Sequence, residues 1–214
     1  MRECVKKTLN NPKNCLMTNL FLRAKHWQLF ILLIGIPLVF QIVMMVSIFT
    51  EMANHRPGTG INVFKYFQFF PVLMAIFTAA FFAWYWSVAI GLQKKIPQGV
   101  KMNVLRFKIF FFIPLIYIIL ILLLISTKFT GVLSHAATPD LMKAGGLVVL
   151  ILPLHLLSMF GIFHSLFFIA KTVKTAELQR EVKFEDFASE FFLLWFYPIG
   201  LWIVQPKINK LVKE

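Results

Sequence analysis

The sequence predicts an all-α, polytopic integral membrane protein, with four transmembrane helices followed by a C-terminal broken, re-entrant apolar helix. Three observations predict it. Of the 214 residues, 59% are hydrophobic and only 14% charged, where soluble domains average about 45–50% and about 25%. The apolar residues are gathered into four runs without an internal charge, 27–50, 66–92, 109–127 and 144–170. Each reaches the roughly 17 to 20 residues that cross about 30 Å of hydrocarbon at about 1.5 Å per residue. The stretch IFFFIPLIYIILILLLI, 109–125, has no polar face, whereas a helix of a soluble bundle carries one at the 3.6-residue period.

Residues 1–26 are the first polar segment. They hold six basic residues, Arg2, Lys6, Lys7, Lys13, Arg23 and Lys25, and both cysteines, Cys4 and Cys15. That cysteine spacing fits neither a zinc nor a redox pair, so both read as ordinary thiols. The first apolar run, 27–50, is a retained anchor rather than a leader, because some 25 residues precede it and no small-residue cleavage pattern follows. It carries Pro37, with Gln41 one turn later. The second, 66–92, carries Pro71 and a ridge of small residues at every fourth position, Ala75, Ala79, Ala83, Ser87 and Gly91. In lipid, small residues let helix backbones approach closely, so this ridge is the expected place of a tight helix contact. The third and fourth runs carry Pro114 and Pro153. Each proline frees a carbonyl four residues earlier and is expected to bend its helix.

Assigning the basic residues to the connecting segments orients the chain. Eighteen of the 22 lie on the N-terminal side and four on the other, so the N-terminus is expected in the cytoplasm. Basic loops beside anionic lipid account for the net charge of +13. The bilayer is therefore the first expected partner, other membrane subunits the second, and no nucleic acid is called for.

Residues 171–190, expected as one cytoplasmic amphipathic segment, contain five of the nine acidic residues. Glu177, Glu181 and Glu185 are spaced by four, so on one helix they form an acidic ridge that needs a basic partner. The loop between the second and third runs, with Lys94 to Lys108, is that partner, or else the ridge docks another protein. Residues 191–206 then form a re-entrant or short fifth membrane segment. Phe191 to Val204 is 14 residues, about 21 Å as a helix and too short to span unless Glu190 or Gln205 enters the membrane. Pro198 frees the Leu194 carbonyl and Gly200 lets the chain turn. A dip that returns Lys207 and Lys210 to the cytoplasm keeps the charge asymmetry intact.

Few residues can carry chemistry. His155, Ser158 and Ser165 share one polar and small face of the fourth helix at about 100° per residue, and His164 lies opposite. With Gln41, the first three define a possible polar pathway. His135 followed by Asp140 has the spacing of an acyltransferase pair, but no acyltransferase domain surrounds it. No catalytic motif, cofactor or metal-ligand pattern is present. The stretches ASEFFLLWFYPIGLWIVQPKINKLV and AKHWQLFILLIGIPLVFQ resemble the ends of small polytopic membrane proteins from Phe- and Lys-rich bacterial proteomes, Bacteroidota in particular. That resemblance implies a bacterial inner membrane and carries over no functional residues. The leading expectation is a non-enzymatic subunit or accessory factor of a membrane complex. The alternatives are a small transporter or channel with a path near Gln41 and His155, and a membrane-bound lipid-modifying enzyme using His135 and Asp140.

Overall fold

A computed structural model describes residues 12–54, 69–133 and 141–213, and among these residues every regular element is helical. The helices are α1 (Pro12–Arg23), α2 (His26–Ala53), α3 (Phe70–Gly91, closing in a 3-10 turn, Leu92–Lys95), α4 (Val104–Leu133), α5 (Leu141–Leu178), α6 (Phe184–Trp195) and α7 (Tyr197–Lys213). Four segments are long and apolar enough to cross a membrane: His26–Ala53, Phe70–Lys95, Val104–Ser126 and Ile151–Leu178. Each overlaps one of the four apolar runs, the fourth shifted towards the C-terminus. The short helix α1 was not expected within the polar N-terminal segment. It buries Phe21 and Leu22 against the bundle.

The prolines act in three different ways. Pro37 follows a π-helical turn, Ile31–Gly35, in which the Ile36 N–H reaches back to the Ile31 carbonyl. The widened turn takes up the defect that the proline makes in the hydrogen-bond ladder. Pro71 stands in the first turn of α3, where a missing N–H leaves nothing unpaired, so it bends no helix. Pro114 lies inside α4, and its freed carbonyl belongs to Phe110.

Gly161 of α5 packs directly on that defect. A Cβ there would lie 2.7 Å from the Phe110 oxygen and 2.9 Å from Pro114 Cδ. This close crossing joins α4 and α5, and it differs from the contact expected along the ridge of α3. On that ridge Ala75 and Ala79 are exposed, Ala83 is half-buried and Ser87 is buried. Gly91, at its far end, faces Thr18 and Leu22 of α1. The ridge thus meets a short helix of the same chain at one end only. Gly161→Ala is expected to destabilise the protein by about 1–3 kcal/mol, because backbone and a proline ring both stand in the way of the methyl. Thermal denaturation in detergent measures this, and an unchanged midpoint would show that α4 and α5 can move apart freely.

The core sits at one end of the bundle. Trp84, Phe107, Ile169, Phe187, Leu194, Leu201 and Ile208 are fully buried there, drawn from α3, α4, α5, α6 and α7. Away from this end the helices expose apolar side chains, among them Val39, Val43 and Val46 of α2, Ile116 and Leu123 of α4, and Leu152 and Leu156 of α5. The hydroxyls of Ser47, Thr50, Ser87, Ser126, Ser165 and Thr172 each donate to the carbonyl four residues earlier. That local bonding removes the cost of holding a polar atom on an apolar helix.

Candidate functional site

The consolidated end of the bundle is built by α6 and α7, which form a tight antiparallel hairpin. The single residue between them, Phe196, leaves helical geometry at φ −86°, ψ 59°. The Ile199 and Gly200 N–H groups both donate to its carbonyl, each at 3.0 Å. The Leu194 carbonyl, freed by Pro198, accepts from Tyr85 Oη of α3 at 3.1 Å. The carbonyl at the break is therefore paired within the protein. Gly200 lies so close to α6 that a Cβ would overlap the Leu193 carbonyl.

Both ends of the hairpin return to one level. Glu190 of α6 is fully buried and accepts from Lys207 Nζ of α7 at 2.9 Å, Lys174 Nζ of α5 at 3.2 Å and Ser189 Oγ at 2.8 Å. Lys174 also pairs with Glu177 at 3.0 Å. Burial pushes the Glu190 carboxyl up, but hydrogen bonds from Lys207 and Ser189 outweigh it and hold the group down at about 2. These side chains tie α5, α6 and α7 together as a charged lock.

Gln205 makes a second polar centre. It is fully buried. Its Oε1 accepts from Trp84 Nε1 of α3 at 2.9 Å, and its Nε2 donates to the Phe21 and Ala24 carbonyls at 3.1 and 2.9 Å. Asn209 Nδ2 donates to Ala24 as well, at 3.1 Å. Carbonyls at a helix C-terminus have no partner within their own helix, so α7 caps α1 and anchors it to α3. Glu190 and Gln205, read from sequence as the polar limits of a short apolar run, are the interior fastenings of this end.

The carboxylates expected on one ridge are distributed over three elements. Helix α5 stops at Leu178, and Gln179 takes φ +52°, the left-handed conformation that ends helices. Its side chain donates to the Lys95 and Ala176 carbonyls at 2.9 and 2.7 Å. Glu177 therefore ends α5, Glu181 lies in the following turn and Glu185 begins α6. The segment 171–190 is two helices and a turn, which corrects the single amphipathic helix. The basic partners are also local. Glu177 has Lys174, Asp186 has Arg180 at 2.8 Å, and the loop before α4 meets this corner through the Lys95 carbonyl, which accepts from Gln179. The Arg180 guanidinium, helped by the Lys183 N–H, holds the half-buried Asp186 carboxyl below its ordinary range.

The polar-pathway residues do not share one lining. Gln41 is exposed near the middle of α2 and has no hydrogen-bond partner among the described residues. His155 is exposed on α5, its Nδ1 3.0 Å from Tyr117 Oη of α4. Ser158 and Ser165 are buried, and Ser165 also borders a cavity of about 130 Å³ walled by Phe77, Phe81, Phe111 and other apolar groups. His135 and Asp140 lie outside the described residues, as does Cys4. Among the described residues, no three His, Cys, Asp or Glu side chains gather to hold a metal ion. Sequence patterns missed Glu190, Gln205 and Trp84 as a set. The one available signal was a carboxylate and an amide bracketing an apolar run too short to span. No family model, no curated protein and no solved structure matches the chain.

Proposed function

We propose that the protein is a multi-pass protein of a bacterial inner membrane, with a cytoplasmic N-terminus, that works without catalysis as a subunit or accessory factor of a membrane complex. The four long apolar helices and the 18-to-4 distribution of basic residues support the topology. The return of Lys207 to the level of Glu190 and Lys174 supports reading the hairpin as a dip from the cytoplasmic side.

One observation carries the complex. Beyond its π turn, α2 buries only Met44 over Ile36–Ala53, and it presents Gln41 from the middle of an apolar surface. A carboxamide in hydrocarbon without a partner is costly, and such groups pair across helices. A helix from another subunit, laid along α2, would satisfy it. Gln41→Leu is expected to weaken the association about fivefold, the scale of one interhelical hydrogen bond in lipid. Photocrosslinking from Met45, one turn on, compared with native gels of the extracted membranes, tests this. A chain that crosslinks only to lipid and migrates as a monomer with or without the substitution would overturn the reading.

A further inference from the structure

The acidic residues of the cytoplasmic end take up Lys174, Arg180 and Lys207, but on another side of α5 the cations are left unbalanced. A cleft of about 270 Å³ lies between the start of α4 and the end of the apolar part of α5. Lys101, Asn103 and Arg106 line it from the first, and His164 and Lys171 from the second. None of Lys101, Arg106 and Lys171 forms an ion pair among the described residues. The His164 ring lies against Phe110, tilted by 36° with centroids 4.3 Å apart, and its Nδ1 is buried without a hydrogen-bond partner among the described residues. Asn103 Oδ1 accepts from the Arg106 N–H at 3.1 Å, which fixes the first turn of α4 beside the cleft. Three unpaired cations, with polar groups among them, form a cleft built for a multivalent oxygen anion.

Position decides which anion. Lys171 directly follows the apolar run that ends at Ala170, and Arg106 and Lys101 lie in the segment just before the third run, which begins at Ile109. On the membrane reading above, on which this inference rests, the cleft lies at headgroup level of the cytoplasmic leaflet. Phe167, one turn from Lys171 and 40% exposed, borders it on the side where acyl chains would lie. We propose that the cleft binds the phosphodiester headgroup of an anionic glycerophospholipid. Arg106 supplies the planar fork that suits phosphate oxygens, and Lys101 and Lys171 supply point charges. Basic pockets between membrane helices on the cytoplasmic side take such headgroups.

The full-length protein in mild detergent, titrated with phosphatidylglycerol or phosphatidylcholine and followed by native mass spectrometry, tests the site. One phosphatidylglycerol per chain should be retained at concentrations where phosphatidylcholine is not. Arg106→Gln should weaken retention about fivefold, and Arg106→Gln with Lys171→Gln about 25-fold, at roughly one cation's attraction each. Lys183→Gln, which removes an exposed cation that does not line the cleft, should leave it unchanged. All variants should melt with the parent, since Arg106 and Lys183 are exposed and Lys171 has no partner to lose. Equal losses for Lys183→Gln, or no loss for the double variant, would overturn the site. Displacement of the lipid by an equal concentration of glycerol phosphate would show a soluble phosphate ligand and overturn the lipid assignment. Failure of the membrane reading would be visible separately and earlier, as release of the protein from cell envelopes by carbonate without detergent.

Discussion

Glu190→Ala is expected to lower the stability of the protein by about 3 kcal/mol and to loosen the hairpin from α5. The carboxylate is fully buried between Lys207 at 2.9 Å and Lys174 at 3.2 Å. Its removal leaves Lys174 and Lys207 close together with only Glu177, at 3.0 and 3.9 Å, to balance them. Breaking a buried pair from one side costs about 3–5 kcal/mol, and the lower end applies because the Lys207 side chain is 35% exposed and can partly rehydrate. Chemical denaturation in detergent gives the loss directly. The pair has a pH signature as well. A carboxyl held at about 2 instead of its ordinary 4.5 contributes stability that is present in full above 4.5. That contribution is lost as pH falls through 4.5 towards 2, because the unfolded chain takes up the proton first. The melting temperature of the parent should therefore drop across that window, and Glu190→Gln, already lowered, should drop less. A combined Glu190→Leu and Lys207→Met variant should recover part of the loss, since replacing a buried pair by apolar groups of similar volume is close to neutral. A Glu190→Ala protein as stable as the parent, with the same pH profile, would show that the lock contributes nothing.

What could be read in advance divides along a physical line. Runs of 19 or more residues without a charge announce themselves locally, and the four long apolar helices overlap the stretches where composition placed them. The Pro198 and Gly200 break is legible for the same reason: a proline's missing N–H and a glycine's missing Cβ act on neighbours within a turn. The fastenings are not local. Trp84 meets Gln205 across 121 residues of sequence and Tyr85 meets the Leu194 carbonyl across 109, and no periodicity marks such pairs. Helix α1 was hidden because what holds it is distant in sequence: Gln205 and Asn209 at its C-terminal carbonyls, and Gly91 of α3 against Thr18 and Leu22. The turn at 179–183 was hidden for another reason. Gln179 adopts left-handed backbone without being glycine or asparagine, held by its own side-chain bonds to Ala176 and Lys95. A spacing of four between Glu177, Glu181 and Glu185 looked helical because nothing in QREVK contradicts a helix. The small-residue ridge records that a close approach is possible but not where along it, and Gly91 makes that approach against Leu22 of α1. Gly161, set against the carbonyl that Pro114 frees, makes a second one that no ridge announced.

Gly200→Ala is expected to have an effect as large as that at Glu190, by a steric route. The added methyl would overlap the Leu193 carbonyl oxygen and press on the Leu193 carbonyl carbon, 2.6 Å away. Neither is the flexible end of a side chain, so relief requires α7 to pivot away from α6. That pivot has two anchors to break: the Trp84 indole on Gln205, which ties α7 to α3, and Lys207 on Glu190 at the open end. Overpacking in a tight core costs about 1–3 kcal/mol, and backbone that cannot yield puts this site at or above the upper figure, about 3 kcal/mol. Gly200→Ala alone could fail to fold, so topology is read in the parent sequence by a single cysteine at position 210, with Cys4 and Cys15 changed to serine. On the re-entrant reading a membrane-impermeant thiol reagent reaches position 210 from the cytoplasmic side only, because α7 comes back to the level it left. Labelling from outside would mean that the segment after Glu190 crosses the membrane, and the hairpin would then have to open within the bilayer. If position 210 is cytoplasmic and Gly200→Ala melts like the parent, the dip stands but its tightness at Gly200 does not hold it together. If the variant is destabilised as expected and position 210 remains cytoplasmic in the parent, the close approach of Gly200 to α6 is what lets so short an apolar segment enter and return.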